Sequence, residues 1–292
     1  MEIRTLRYFL AVAREENMTK AAEILHVTQP TLSKQLKALE EELGHKLFIR
    51  HAFSIELTDE GMLLRKRAED LVTMADKITN EFSSLDDITG GDIYFGLAES
   101  YLISYLAKEI KLFKEKYPGL RYHITSGGTE QVLERLNKGV LDFAILVETP
   151  DYTKYNAIEF PESDVWGIVV PEGHELAEKD RIHADDLAGF PLFCSDQSWK
   201  ADIPRWAGDK MDKLTLEGSF QLSYNGAVFA KEGLGVLLTF DKLVDTSKDS
   251  GMVFRPLEPK LENKMYLIWK KYQIFSPIAD SFLKQVQKYD NI

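Results

Sequence analysis

The sequence predicts an α/β protein with an all-α, winged-helix N-terminus, arranged as three parts in series. Three observations carry this. Residues 17–61 read as a helix, a tight turn, a second helix and a two-stranded wing; apolar positions then repeat in heptads from Leu64 to Leu85; from Asp92 onward strand and helix signals alternate. The expected boundaries are 1–58 for a winged helix-turn-helix, 59–89 for a long linker helix and 90–292 for an α/β domain. A chain of 292 residues is too long for one compact core, which accords with two or three domains.

Asn17 is the expected N-cap of a short helix over residues 19–25, whose inner face is Ala21, Ala22 and Leu25. His26 and Val27 make the turn. Thr28 caps the next helix, and Pro30 is tolerated in its first turn, where N–H groups lack partners in any case. Leu32, Leu36 and Leu39 bury one side of that helix. Thr28, Gln29, Pro30, Thr31, Ser33, Lys34 and Lys37 stay at its tip or on its outer side. Short donors and acceptors at the start of a second helix suit the major groove of DNA, where each base pair shows its own donor and acceptor pattern. An ordinary amphipathic helical hairpin would account for the helices but not for the wing.

The run TKAAEILHVTQPTLSKQLKALEEELGHKLFIR, followed by LTDEG, closely resembles the winged helix-turn-helix of LysR-type transcriptional regulators. The resemblance rests on Ala21-Ala22, Leu25, Val27, Gln29-Pro30, Leu32-Ser33, Leu39-Glu40, Leu43-Gly44, Leu47-Phe48, Arg50, Leu57-Thr58 and Gly61, and extends more loosely over the rest of the chain. It implies sequence-specific binding of double-stranded DNA, with Gln29, Pro30, Thr31, Ser33 and Lys34 at bases or nearby phosphates. Arg50 would hold the wing to the backbone or minor groove. It also implies an effector-binding C-terminal domain like the periplasmic solute-binding proteins, and homodimers that pair into a homotetramer. One position departs from the family's pattern: a second basic residue is usual in the wing where Phe53 stands. The nearest residue of basic type there is His51.

Hydrophobic content of 44% with 28% charged residues is that of a soluble globular chain. No apolar run approaches the roughly 20 residues that cross a bilayer. The charged, amphipathic start MEIRTLRYFLAVAREEN reads as neither signal peptide nor anchor, so no membrane partner and a cytoplasmic location are expected. The sole cysteine, Cys194, fits a reducing compartment; it lies in what reads as a strand end, where a small buried hydrophobe outweighs a redox role. The net charge of −11, taken alone, argues against nucleic acid. Residues 1–58, however, carry eight Lys/Arg and eight Asp/Glu, so the whole excess lies beyond them. A neutral DNA-binding domain offers few phosphate contacts, from Lys34, Lys37, Lys46, Arg50 and a helix N-terminus. Tight binding therefore requires more than one copy.

The linker is the expected source of that second copy. Leu64, Ala68, Leu71, Ala75, Ile78, Phe82 and Leu85 are spaced by alternating steps of four and three, a heptad seam. At roughly 1.5 Å per residue the helix is about 40 Å long, too long to bury its stripe on a small winged domain alone. The seam is read as a coiled coil between two subunits; the other reading is a helix laid across its own domain. Strand direction is not legible in the seam, and the family resemblance implies antiparallel pairing.

Beyond it, residues 92–98 read as a buried strand, Ser100 as the cap of a helix reaching residue 117, and 120–125 as a strand. Gly127-Gly128-Thr129 opens a helix over 130–137, and 141–147 is a third strand. A second set follows: strands at 164–170, 192–194 and 220–222, a helix at 226–231 and a strand at 236–238. Such alternation means βαβ units and a mostly parallel sheet. A strand at 264–269 and a helix at 277–289 return to the first lobe. Lobe I is then about 91–161 with 267–292, and lobe II about 162–266, joined by strands crossing near Pro161 and Met265. Thr239 stands where the resembled family commonly has proline, so a different loop is expected there.

In such sheets ligands sit beyond the carboxyl ends of strands, at helix N-termini. That selects Ser100 with Tyr101, then Gly127, Gly128 and Thr129, then Asp196 with Gln197, and Tyr224 with Asn225. Singly, each serine, threonine or asparagine is explained as a plain cap; jointly they fall at corresponding strand ends of two lobes. Free N–H groups at Ser100 and Thr129 favour a carboxylate effector, whereas Glu99, if turned inward, favours an amine or an amino acid. The six histidines show no i,i+3 or i,i+4 pairing, so neither metal nor cofactor is expected. No phosphate loop GxxxxGK(S/T) or nucleophile elbow GxSxG occurs, and no catalytic residue is assigned. Two alternatives stand beside an effector-modulated regulator: a ligand-independent DNA-binding regulator and, more remote, a bilobal cytoplasmic α/β enzyme.

Overall fold

In the computed structural model, which describes residues 1–51, 54–83 and 89–289, the chain divides into two units, Met1–Asp86 and Asp87–Ile292. In the first, α1 (Ile3–Glu15) buries Leu6, Phe9 and Val12 against α2 (Met18–Ile24) and α3 (Gln29–Leu43). Asn17 caps α2, its Oδ1 accepting from the N–H groups of Thr19 and Lys20 at 3.0 Å each. His26 takes a left-handed conformation (φ 54°) and turns the chain. Thr28 caps α3 by accepting from the Thr31 N–H at 3.4 Å. Leu32, Leu36 and Leu39 complete the core. The wing is β1 (Phe48–Arg50) paired antiparallel with β2 (Ile55–Leu57). Phe53 lies outside the described residues.

Buried Glu40 ties α3 to the wing. Its carboxylate accepts from Lys46 Nζ at 2.8 Å and from the N–H groups of Leu47 at 2.9 Å and Phe48 at 3.4 Å. Burial pushes this carboxyl up, but the bonds from Lys46, Leu47 and Phe48 outweigh it and hold the group below the ordinary range. The long helix α4 (Asp59–Ser83) starts hard against the wing. A Cβ on Gly61 would stand 2.2 Å from the Leu47 carbonyl oxygen, so only glycine fits.

The heptad seam divides into two parts. Ala68 is fully buried in the core of its own domain, with Leu64 and Val72 packed against it. Arg7 of α1 pairs with Asp76, its Nη1 3.2 Å from Oδ2, which ties α1 to the middle of α4. Leu64 and Ala68 therefore serve the monomer, contrary to a seam wholly between subunits. Leu71, Ile78 and Phe82 are 43%, 48% and 72% exposed, and Ala75 is half-buried. Leu85 lies outside the described residues.

The second unit is built on one nine-stranded sheet. Its first half is β3 (Gly90–Leu97), β4 (Gly119–Ser126) and β5 (Phe143–Leu146), parallel, with α5 (Ile103–Lys116) and α6 (Thr129–Asn137). Its second half is β7 (Pro191–Ser195), β8 (Thr215–Phe220) and β9 (Val236–Phe240), also parallel, with α7 (Asp196–Ala207) and α8 (Ser223–Lys231). The halves are joined by β6 (Tyr155–Pro171) and β11 (Glu262–Lys270), which run antiparallel to each other. β11 also pairs with β5, while β6 also pairs with β9 and with β10 (Met252–Pro256). The β6–β11 register shifts between Lys264 and Tyr266, opposite Pro161, which has no N–H to give the ladder.

α9 (Pro277–Tyr289) returns to the first lobe, where Phe282 meets the rings of Phe95, Phe113 and Phe143 at 5.5, 5.3 and 5.7 Å. Several expectations are corrected. The sheet is mixed, because two connecting strands run against their neighbours; the strand expected at 164–170 is only the end of the 17-residue β6; the strand expected at 220–222 is β8, ending at Phe220. Thr239 lies in β9, not a loop; it is buried, its hydroxyl donating to Ser223 Oγ at 3.1 Å. Among the described residues no helix is long and apolar enough to cross a membrane.

Candidate DNA interface and effector cleft

The tip of α3 presents the residues selected for DNA. Thr28, Gln29, Pro30, Thr31, Lys34 and Lys37 are exposed and Ser33 is half-buried. The Thr28 and Thr31 hydroxyls lie 2.8 Å apart, which fixes the tip. Arg50 reaches from the wing and donates to Ser33 Oγ at 3.2 Å, joining wing and helix into one surface. Lys37 pairs with Glu41 at 3.6 Å and Lys46 with Glu40, whereas Lys34 has no ion-pair partner among the described residues. A polar recess of about 310 Å³ beside Gln29 and Arg50 adds Thr19, His51 and Ser54, which the helical pattern did not single out.

In the second unit a cavity of about 730 Å³ opens between the lobes. Gly127, Gly128, Thr129, Asp196 and Gln197 line it, as expected. Ser100, Tyr101, Tyr224 and Asn225 do not. Ser100 is buried: its hydroxyl donates to Asp164 Oδ2 at 2.7 Å and accepts from the Leu102 N–H at 2.9 Å, so α5 starts later, at Ile103. Tyr101 lies half-exposed under the Lys242 ammonium, 4.8 Å from its ring centre. Tyr224 and Asn225 are exposed in the first turn of α8.

The helix ends that face the cavity are not open. The Thr129 N–H donates to Gln197 Oε1 at 3.1 Å, and Gln197 Nε2 donates to Thr129 Oγ1 at 2.9 Å. In the opposite sense, the Ser223 N–H at the start of α8 donates to Glu99 Oε2 at 2.7 Å. Each lobe fills a helix N-terminus of the other. The free N–H group expected at Thr129 is thus occupied, and sequence spacing carried no sign of it.

Burial pushes the Asp164 carboxyl up to about 6, the Ser100 bond offsetting part of the rise. Burial likewise pushes the Cys194 thiol up, so little thiolate is present. Among the described residues no group of His, Cys, Asp and Glu is placed to hold a metal ion.

Residues 3–62 match a family described as bacterial regulatory helix-turn-helix protein, lysR family, and residues 89–290 match the LysR substrate binding domain. The HTH-type transcriptional regulator YybE of Bacillus subtilis is 26% identical over 291 residues, 98% of each chain. The HTH-type transcriptional regulator BsdA of the same organism is 33% identical over 195 residues, 66% of each chain. The solved structure of full-length CbnR complexed with its target DNA shares the fold, with a TM-score of 0.72 at 20% identity over 99% of both chains.

Proposed function

The chain belongs to the LysR family of bacterial transcriptional regulators, and on that premise, a DNA-binding domain with an effector-binding domain, we propose how its parts act. Gln29, Thr31, Ser33 and Lys34 enter the major groove, with Thr28 and Pro30 shaping the tip and Arg50 and Lys37 facing the backbone. The observation that carries this is the joined surface of α3 and wing, whose polar tip is exposed while Leu32, Leu36 and Leu39 on α3's inner face are buried.

Leu71, Ile78 and Phe82, exposed along α4, with Ala75 beside them, pair two subunits, so two tips bind together and offset the neutral charge of one domain. Further pairing of effector domains gives a homotetramer. The working boundaries are 1–58, 59–89 and 90–292, and the working compartment is the cytoplasm. A small molecule between the lobes favours one arrangement of the assembly, altering how it bends or spaces its sites, in proportion to its difference in affinity for the two states. The cavity between lobes favours this over a ligand-independent regulator.

Ser33→Ala tests the base-reading role by competition with point-mutated operator sites. Discrimination should fall by about 1–3 kcal/mol at one or two base pairs. Uniform weakening at every site would instead make Ser33 a support for Arg50 at the phosphates.

A further inference from the structure

We propose that the cleft, read as the effector site, takes a small organic cation: a primary amine on an apolar, ring-sized body. The inference rests on that reading of the cavity; its charged walls decide only what it admits. Helix N-termini are where a carboxylate would bind, and here each is already answered. α6 has Gln197 on its Thr129 N–H and Glu130 in its first turn. α7 has Ser195 Oγ accepting from Ser198 N–H at 3.2 Å and Asp196 in its first turn. α8 has the Glu99 carboxylate on its Ser223 N–H.

The charged side chains that line the cavity are mostly acidic. Glu99, Glu130, Glu148 and Asp196 line the cavity against Lys200 alone. Glu148 is half-buried and has no ion-pair partner among the described residues. Glu99 and Glu148 are half-buried, where charge acts more strongly than in bulk water, repelling a carboxylate and attracting an ammonium; Glu130 and Asp196 are exposed and add less. Beside them Trp166 and Phe240, their rings 4.5 Å apart and almost wholly buried, give the cavity an apolar wall for a flat body. The volume, about 730 Å³, is that of a small-molecule site.

The test compares phenethylamine, 3-phenylpropionate and phenylalanine, which share ring and chain length, by melting temperature and calorimetry on the full-length protein. Phenethylamine should stabilise the protein and bind at least about tenfold more tightly than either other probe. Glu148→Gln and Glu99→Gln should each weaken it about five- to tenfold; glutamine keeps an acceptor for the Ser223 N–H, so the fold is retained. Lys200→Gln should tighten it. Equal or tighter binding of 3-phenylpropionate or phenylalanine, or no binding of any probe, overturns the inference. Leu133→Trp, which fills the cavity, separates the two levels. If it abolishes a preferred carboxylate, the cleft stands as the site and the cation falls; if it leaves amine binding unchanged, both fall.

Discussion

The winged domain draws most of its working residues from the start of one helix, with Arg50 added from the neighbouring wing, whereas the bilobal domain assembles its cleft from distant segments. Thr28 through Lys34 are neighbours in sequence, and their scaffold is a cap and a buried leucine face. In the cleft, Thr129 meets Gln197 from 68 positions away and Glu99 meets Ser223 from 124 away. A local site is settled once its helix is capped; a non-local site depends on how two lobes close. The two units should therefore respond to substitution in different ways.

The largest effect is expected where the first unit is incomplete by itself. Leu71→Asp with Ile78→Asp places charges on the exposed part of α4 without touching Ala68. The double variant should sediment as a monomer and lose about 10²–10⁴-fold in operator affinity, the gain that tethering supplies. An unchanged dimer would refute pairing through α4. Next in size is Glu40→Ala, which strands the buried N–H groups of Leu47 and Phe48 and should cost about 2–4 kcal/mol in chemical denaturation. The folded Glu40 titrates below its unfolded value near 4.3. Its stabilisation is therefore present above that pH and lost as pH falls through the folded value, so the gap between variant and native protein should close in acid.

Asp164 has the opposite sign. Its folded value of about 6 lies above the unfolded one, so the fold favours the neutral carboxyl, and stability is lost as pH rises from about 4 through about 6. Asp164→Asn keeps an acceptor for Ser100 and removes the buried charge. It should raise stability at pH 8 by about 3 kcal/mol, with most of the gain gone near pH 4. A pH-independent change would show that packing, not charge, governs this position.

These contrasts also explain what the sequence disclosed. Caps at Asn17 and Thr28 and the leucine face of α3 were legible because each depends on residues within a turn or two of one another. The split of the α4 stripe was not, since a heptad looks the same whether Ala68 meets α1 or a partner subunit. Ser100 was mistaken for a residue facing the cleft because its true partner, Asp164, lies 64 positions on. Gln197 was placed at the cleft, yet nothing in its neighbourhood showed that it would fill the end of α6. The length of α7 is equally hard to read: its segment carries Trp199 and an internal Pro204, and its cap, Ser195, ends a strand.

The smallest effect offers the sharpest comparison. Thr129→Val removes the hydroxyl that accepts from Gln197 Nε2 but leaves the backbone N–H bonded to Oε1. Thr58→Val removes a matching hydroxyl in the first unit, one that accepts from the Gly61 N–H at 3.0 Å and donates to the Lys46 carbonyl. Each should cost about 1 kcal/mol. Their consequences for motion should differ. The first loosens one lobe from the other, so amide exchange should quicken at Thr129 and, through the same closure, at Ser223, where Glu99 closes the opposite contact. The second should quicken exchange only at Gly61 and its neighbours in α4. If Thr129→Val leaves Ser223 protected, the two cross-lobe contacts are independent, and the cleft is as local in its energetics as the α3 tip.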